Sequence, residues 1–344
     1  MLKPLKSATK AALSWVGLIG NMSPRPQIER ILAGNQMVGA DVGAAGWLPP
    51  HWECLEGGIH FLFFEPHPAS YEKLVERVKR SAMPSSMTVL PTALSGSGGK
   101  RTLHLLNTPT GSSLLPINMD SEFVDQADPY IFPIKEVGVD TRTLADILSE
   151  QQTSLHMLKL DVQGAELEIL HGIGADRRED LVMVEAEVNM AGGGYVGCPT
   201  FTEISDMLTP SELRLYDVRV VRTYRKKRGN KFWYHEHVFD VYKDSPSIAG
   251  RTWELDVMYF KDYRKLMDRG DVRQLRRLLV ALCGYRFFSE AYFIVEKCKT
   301  ETLLDAAESD ALLGSIVDWH RNSARQFWYG RGNAARLMRS IIGA

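Results

Sequence analysis

The chain has 344 residues, 44% hydrophobic and 24% charged, enough for roughly two domains or for one of about 200 to 250 residues with an appendage. Its 41 Lys and Arg nearly balance 42 Asp and Glu, a net charge of -1, so no global field draws it to nucleic acid, and the composition excludes disorder as the main state. Cys54, Cys198, Cys283 and Cys298 show no C-x-x-C spacing, which excludes zinc ribbons and a dense disulfide scaffold and points to a reducing cytoplasm.

In chain order, Lys3, Lys6 and Lys10 precede an apolar run from Ala11 to Ile19 that Ser14 and Gly17 interrupt, with no clean A-x-A site after it. We read an amphipathic first helix, ended by Gly20 and Asn21 and the turn at Pro24, rather than a secretion signal. No later stretch reaches the about 18 apolar residues of a membrane span.

From residue 36 to about 190, short apolar runs alternate with helical patterns, the signature of βαβ units and a parallel, doubly wound sheet. Strands are expected at Met37–Val42, His60–Glu65, Thr88–Leu94, His156–Val162 and Leu181–Val188, with helices at Ala69–Ser81 and from Ala165. Thr102–Asn107 and Ile134–Val139 read as two extra strands, the second followed by a helix over Leu144–Leu148. After residue 200, Leu213–Tyr224 and Val238–Tyr242 flank a basic turn and Trp253–Phe260 is a third extended segment, together an antiparallel closing section. The spacing beyond Asp262 predicts helices. The domains expected are 1–30 (N-terminal helix and linker), 31–262 (catalytic α/β domain) and 263–344 (helical C-terminal region).

The first strand runs into V-G-A-D-V-G-A-A-G, placing Asp41, Gly43 and Gly46 at the strand-to-helix crossing, the edge where ligands of such sheets bind. The pattern is not G-x-G-x-x-G, and a carboxylate at the loop's mouth repels a pyrophosphate. A nicotinamide dinucleotide is therefore disfavoured. S-adenosylmethionine (SAM) has no phosphate and carries a sulfonium and an ammonium group, so a carboxylate attracts it. The second strand ends at Glu65, 24 residues after Asp41, close to the ~20 at which an acid reaches ribose hydroxyls. Taken singly, Asp41 is also a common turn former and Glu65 a solvated strand end.

Four ordered motifs, D-V-G-A-A-G-W-L-P-P-H-W (Asp41–Trp52), F-F-E-P-H-P-A-S-Y-E-K-L (Phe63–Leu74), V-D-T-R-T-L-A-D-I-L (Val139–Leu148) and L-K-L-D-V-Q-G-A-E-L-E-I-L-H-G (Leu158–Gly172), closely resemble the FkbM family of SAM-dependent methyltransferases. The resemblance covers residues 37 to 225 and implies a Rossmann-like methyltransferase sheet. It also implies that Asp41, Gly43 and Gly46 line the methionine end of the cofactor, that Glu65 holds the ribose and that Asp161 sits at the reaction edge. Many members read D-V-G-A-N-x-G, whereas this chain has Ala45 and an earlier Gly46, and Gln163 stands where an acid is common.

Methyl transfer from a sulfonium needs orientation and, for an alcohol, a base. Asp161, at a strand end, is the first candidate for contact with cofactor or substrate; a helix N-cap is its structural alternative. Glu166 in the following first turn has a sufficient explanation in the helix dipole. Glu185 and Glu187 share one strand face by the period-two rule, and Glu187, nearer the loop, joins Asp161 as a catalytic candidate. Mg2+ bound by these acids is weighed and not favoured, because buried acids also accept hydrogen bonds. Ser112 and Ser113 on the insertion and Tyr195 in the glycine-rich stretch from Met190 to Pro199 are substrate-loop candidates, the glycines suiting a mobile lid or a plain linker. His235 and His237 read as a surface pair, and Arg219–Lys231 as a solvated basic tip. The expectation is a cytoplasmic SAM-dependent O-methyltransferase, its acceptor a small molecule or glycan by the family resemblance, with no nucleic-acid partner. The rival is a non-catalytic binding module of the same fold.

Overall fold

The computed structural model describes residues 23–44, 46–49, 51–121, 132–189, 193–223 and 251–330. The expected helix at Ala11–Ile19, the strand at Val238–Tyr242, the pair His235 and His237 and most of the basic tip lie outside them. The chain divides into two units. Met37–Leu48 with His60–Lys265 forms one; the chain up to Gln36, Pro49–Ile59 and the chain from Leu266 form the other.

The first unit is built on a seven-stranded sheet of order β3-β2-β1-β7-β8-β10-β9. β1 (Val38–Val42), β2 (His60–Phe64), β3 (Met87–Leu90), β7 (Met157–Leu160) and β8 (Met183–Asn189) are parallel. β10 (Arg251–Lys261) runs antiparallel to β8, and β9 (Leu213–Thr223) antiparallel to β10 at the edge. The architecture is the expected α/β, doubly wound, Rossmann-like one. A smaller sheet, β4-β6-β5, is formed by β4 (Ala93–Leu94), β5 (Gly99–Leu106) and β6 (Pro133–Arg142). Thr88–Leu94, expected as one strand, thus serves two sheets. Pro91 has no N–H to continue the ladder, and the chain resumes pairing two residues later against β6.

Alternation decides the layers. Ala40, Val42, Leu62, Leu158, Val184 and Val257 share one core cluster with α3 (Leu144–Glu150), α4 (Glu166–Ile173) and α6 (Phe201–Leu208), and each fully buried Leu or Val contributes roughly 1.5–3 kcal/mol. On β1, β2, β7 and β8 the odd-numbered positions face the other way. There Trp47 stacks on Phe63 at 6.4 Å, and the Arg77 guanidinium of α2 (Pro68–Lys79) lies 4.7 Å from the Trp47 ring. Strand order reverses between β1 and β7, which makes their carboxyl ends the switch point where an open sheet leaves a crevice.

The second unit is helical: α1 (Arg25–Leu32), then, beyond α5 (Ala175–Arg178) and α7 (Tyr263–Asp268) in chain order, α8 (Val272–Gly284), α9 (Phe288–Thr300) and α10 (Ala306–Gly330). Pro49–Ile59 packs with these helices, where the Trp52 indole donates to Tyr285 Oη at 2.6 Å. Arg276 is buried, donating to Ile31 O at 2.6 Å and pairing with Glu308. Among the described residues no helix is long and apolar enough to cross a membrane.

Candidate functional site

A pocket lies at the carboxyl ends of β1, β2 and β7, its space about 620 Å³ with the open solvent at its mouth included. Gly43, Glu65 and Asp161 line it from the three strand ends, Phe64, Ala93 and Leu103 supply apolar wall, and Ser112 and Ser113 close it from the insertion. Among the described residues its lining includes two carboxylates and no Lys or Arg.

Gly43 has φ +88, and a Cβ there would stand 1.9 Å from the Asp161 carbonyl oxygen. Only glycine allows this turn and this approach of the β1 loop to the end of β7. Glu65 is buried; its Oε1 accepts the His67 N–H at 2.7 Å, while burial pushes its carboxyl up. Asp41 is 2% exposed and does not line the pocket. Burial pushes its carboxyl up, and Lys159, whose Nζ lies 3.5 Å from Asp41 Oδ1 and 3.0 Å from Asp161 Oδ2, pulls it back. Gly46 is exposed and stands away from the pocket lining.

Beyond Asp161 the chain turns through Gln163, a non-glycine residue at φ +60. Its Nε2 donates to Asp161 Oδ1 at 3.1 Å and to Glu187 Oε2 at 2.6 Å. Burial, together with Asp161, Glu254, Glu166 and Asp256, pushes Glu187 up to about 10. Glu166 is buried within the turn: its Oε1 accepts N–H groups from Val162 at 3.0 Å and Gly164 at 3.1 Å, and burial pushes its carboxyl up to about 7 against those bonds.

Ser113 Oγ donates to Gln163 O at 2.8 Å, and Ser112 Oγ accepts the Leu106 N–H at 3.2 Å. Tyr195 is buried, its hydroxyl 2.6 Å from Gly111 O and 3.0 Å from Gln163 Oε1. It lines a second cavity of about 460 Å³ with Asn118, Gly197 and Cys198. Gly192 lies outside the described residues. A capping box between Thr200 and Glu203 starts α6 directly after this stretch.

The structure therefore gathers Gly43, Glu65, Asp161, Ser112 and Ser113 around one pocket and sets Asp41, Glu187 and Tyr195 behind it. Lys159 is the residue sequence reasoning missed. A lysine inside an apolar strand run looks like a strand exception, but its two-residue offset from Asp161 puts both on one face. No cluster of three or more His, Cys, Asp or Glu side chains suited to a metal occurs among the described residues.

A 136-residue segment is 29% identical to methyltransferase sdnD of Sordaria araneosa, covering 34% of this chain and 52% of that protein, so the match spans about half the length of the curated relative. Among solved structures, the methyltransferase FkbM of Methylobacillus flagellatus KT aligns with 65% of this chain and 43% of its own at 13% identity and a TM-score of 0.36. The magnesium protoporphyrin IX methyltransferase (ChlM) of Synechocystis PCC 6803, solved with bound SAM, aligns with 75% of this chain and 79% of its own at 8% identity and a TM-score of 0.33. The model of the methyltransferase FkbM domain matches residues 38–229, more than half of the sequence, and the chain belongs to that family.

Proposed function

We propose that the chain is a SAM-dependent O-methyltransferase acting on a hydroxyl of a sugar, glycan or related metabolite. The observation that carries the cofactor is the pocket lining: Glu65 and Asp161 present carboxylates, and among the described residues no Lys or Arg side chain lines it to meet a pyrophosphate. That donor set fits a ligand with ribose hydroxyls and positive charge, and it opposes a dinucleotide. When bound, SAM supplies a methyl group already activated on its sulfonium.

Glu65, fixed by the His67 N–H, would accept the ribose hydroxyls. Asp161 would hold the cationic end and orient it for in-line attack by the acceptor oxygen. Glu187, outside the pocket lining and tied to Asp161 through Gln163, would take the hydroxyl proton of an acceptor that reaches past Asp161, as the new carbon–oxygen bond forms and the carbon–sulfur bond breaks. A carboxyl pushed up by burial and by the acids around it is a stronger base once ionised, and a cation held at Asp161 favours the ionised form. The acceptor class follows the family resemblance. Incubating the full chain with methyl-labelled SAM and a panel of sugar, glycan and amine acceptors should put label on a hydroxyl oxygen; label appearing only on nitrogen would refute the oxygen assignment.

A further inference from the structure

We infer that Lys159 and Gln163 are positioning residues that hold the two oxygens of Asp161 from opposite sides and so fix this carboxylate at the mouth of the pocket. The assignment rests on the reading of the chain as a SAM-binding methyltransferase. It starts from register. Asp41, Lys159 and Glu185 are partners on three adjacent strands, and residues opposite one another in a sheet share a face. By the period of two, Glu187 lies on that face as well, as does Asp161, one residue past the end of β7 and still bonded through its N–H to Val42 O, and Asp256 of β10 is the register partner of Glu187. This places acids from β1, β7, β8 and β10 side by side. Among the described residues, cations that meet them include Lys159 within the first three strands and Arg219 of β9, whose Nη1 is 3.8 Å from Glu185 Oε1.

Within this row, acceptor and donor alternate: Asp41, Lys159, Asp161, Gln163, Glu187. Lys159 reaches Asp161 Oδ2 at 3.0 Å and Gln163 reaches Asp161 Oδ1 at 3.1 Å. Each carboxylate oxygen has two lone pairs, so both oxygens are fixed while each keeps one site for a ligand. Asp161 remains 39% exposed at its side chain and lines the pocket, whereas Asp41 is 2% exposed and anchors the far side of Lys159. Gln163 is held in its left-handed conformation by the Ser113 hydroxyl on its carbonyl and by both carboxylates on its amide. Such a conformation persists only where the surroundings determine it.

The test is a double-mutant cycle on S-adenosylhomocysteine (SAH) affinity, read by calorimetry on the full chain, with melting temperatures measured in parallel. Lys159→Met and Gln163→Met should each weaken SAH by about tenfold, the effect of losing a hydrogen bond to a charged group. Lys159→Arg, which keeps the cation, should recover most of that loss. In an Asp161→Asn background the same two substitutions should cost less than about twofold more, because their effect runs through Asp161. A purely structural role would instead multiply the losses and lower the melting temperature in step. Single variants that bind SAH as wild type does, or fully multiplicative doubles, overturn the assignment. If Lys159→Met does not fold because Asp41 is stranded, the Gln163 cycle decides alone. A wild-type chain that fails to bind SAH would instead sink the methyltransferase reading, and this assignment with it.

Discussion

Glu166 lies in the first turn of α4, where the dipole alone would favour an acid, yet its work is local: one oxygen closes the turn from Val162 to Gly164. Its carboxyl, pushed from 4.5 to about 7 by burial, binds its proton more tightly folded than unfolded. Such a group contributes most to stability below the unfolded value, and that contribution is lost as pH rises towards 7. On its own it makes the fold less stable by on the order of 3 kcal/mol at pH 8 than at pH 4. The raised carboxyls of Asp41, Glu65, Glu187 and Asp256 act with the same sign. Glu166→Gln keeps an acceptor for both N–H groups and removes the titration, so its melting temperature should fall less than that of wild type between pH 5 and 8 in paired thermal scans; parallel curves would contradict this. Gln163 yields a second prediction. Its amide nitrogen sits within hydrogen-bond distance of Asp161 and Glu187, the place a bridging divalent cation would take. EDTA should leave SAH affinity and methyl transfer unchanged, and a loss restored by Mg2+ would overturn that expectation.

The junction of β1 and β7 is set by Gly43. With φ +88 and no room for a Cβ beside the Asp161 carbonyl, Gly43→Ala must separate the two strand ends and break the Asp161 N–H bond to Val42 O, now 3.0 Å. We expect a loss of more than about 2 kcal/mol in chemical denaturation, together with weaker SAH binding; a variant as stable as wild type would show that the loop has slack. At this scale the sequence was legible where one residue's environment repeats along an element. The apolar runs at β1, β2, β7 and β8 and the offset of Leu74 from Val78 place strands and helix within a residue or two of where they lie. It was less legible where partners are distant. The stretch from Thr88 to Leu94 looks like one strand because nothing local says that Ala93 and Leu94 pair with Thr141 and Arg142. Pro49–Ile59 gives no local sign that Trp52 will reach Tyr285.

A net charge near zero conceals how unevenly this molecule places its charge. Carboxylates from four strands crowd one sheet face at the carboxyl edge, and within this row Lys159 separates Asp41 from Asp161. Asp41, Glu65 and Asp161 were legible as candidates because each follows an apolar strand. Their division of labour was not, since burial decides it: Glu65 and Asp161 line the pocket, while Asp41 faces Lys159 behind it. This pocket is proposed to take a SAM-type ligand and no dinucleotide. The most direct measurement is calorimetric titration of the full chain with SAH and, separately, with NAD, for wild type and Glu65→Ala. We expect SAH to bind, NAD not to bind, and Glu65→Ala to lose about 1 to 3 kcal/mol of SAH affinity with the ribose acceptor gone. Binding of NAD in place of SAH, or SAH affinity indifferent to Glu65, would contradict it.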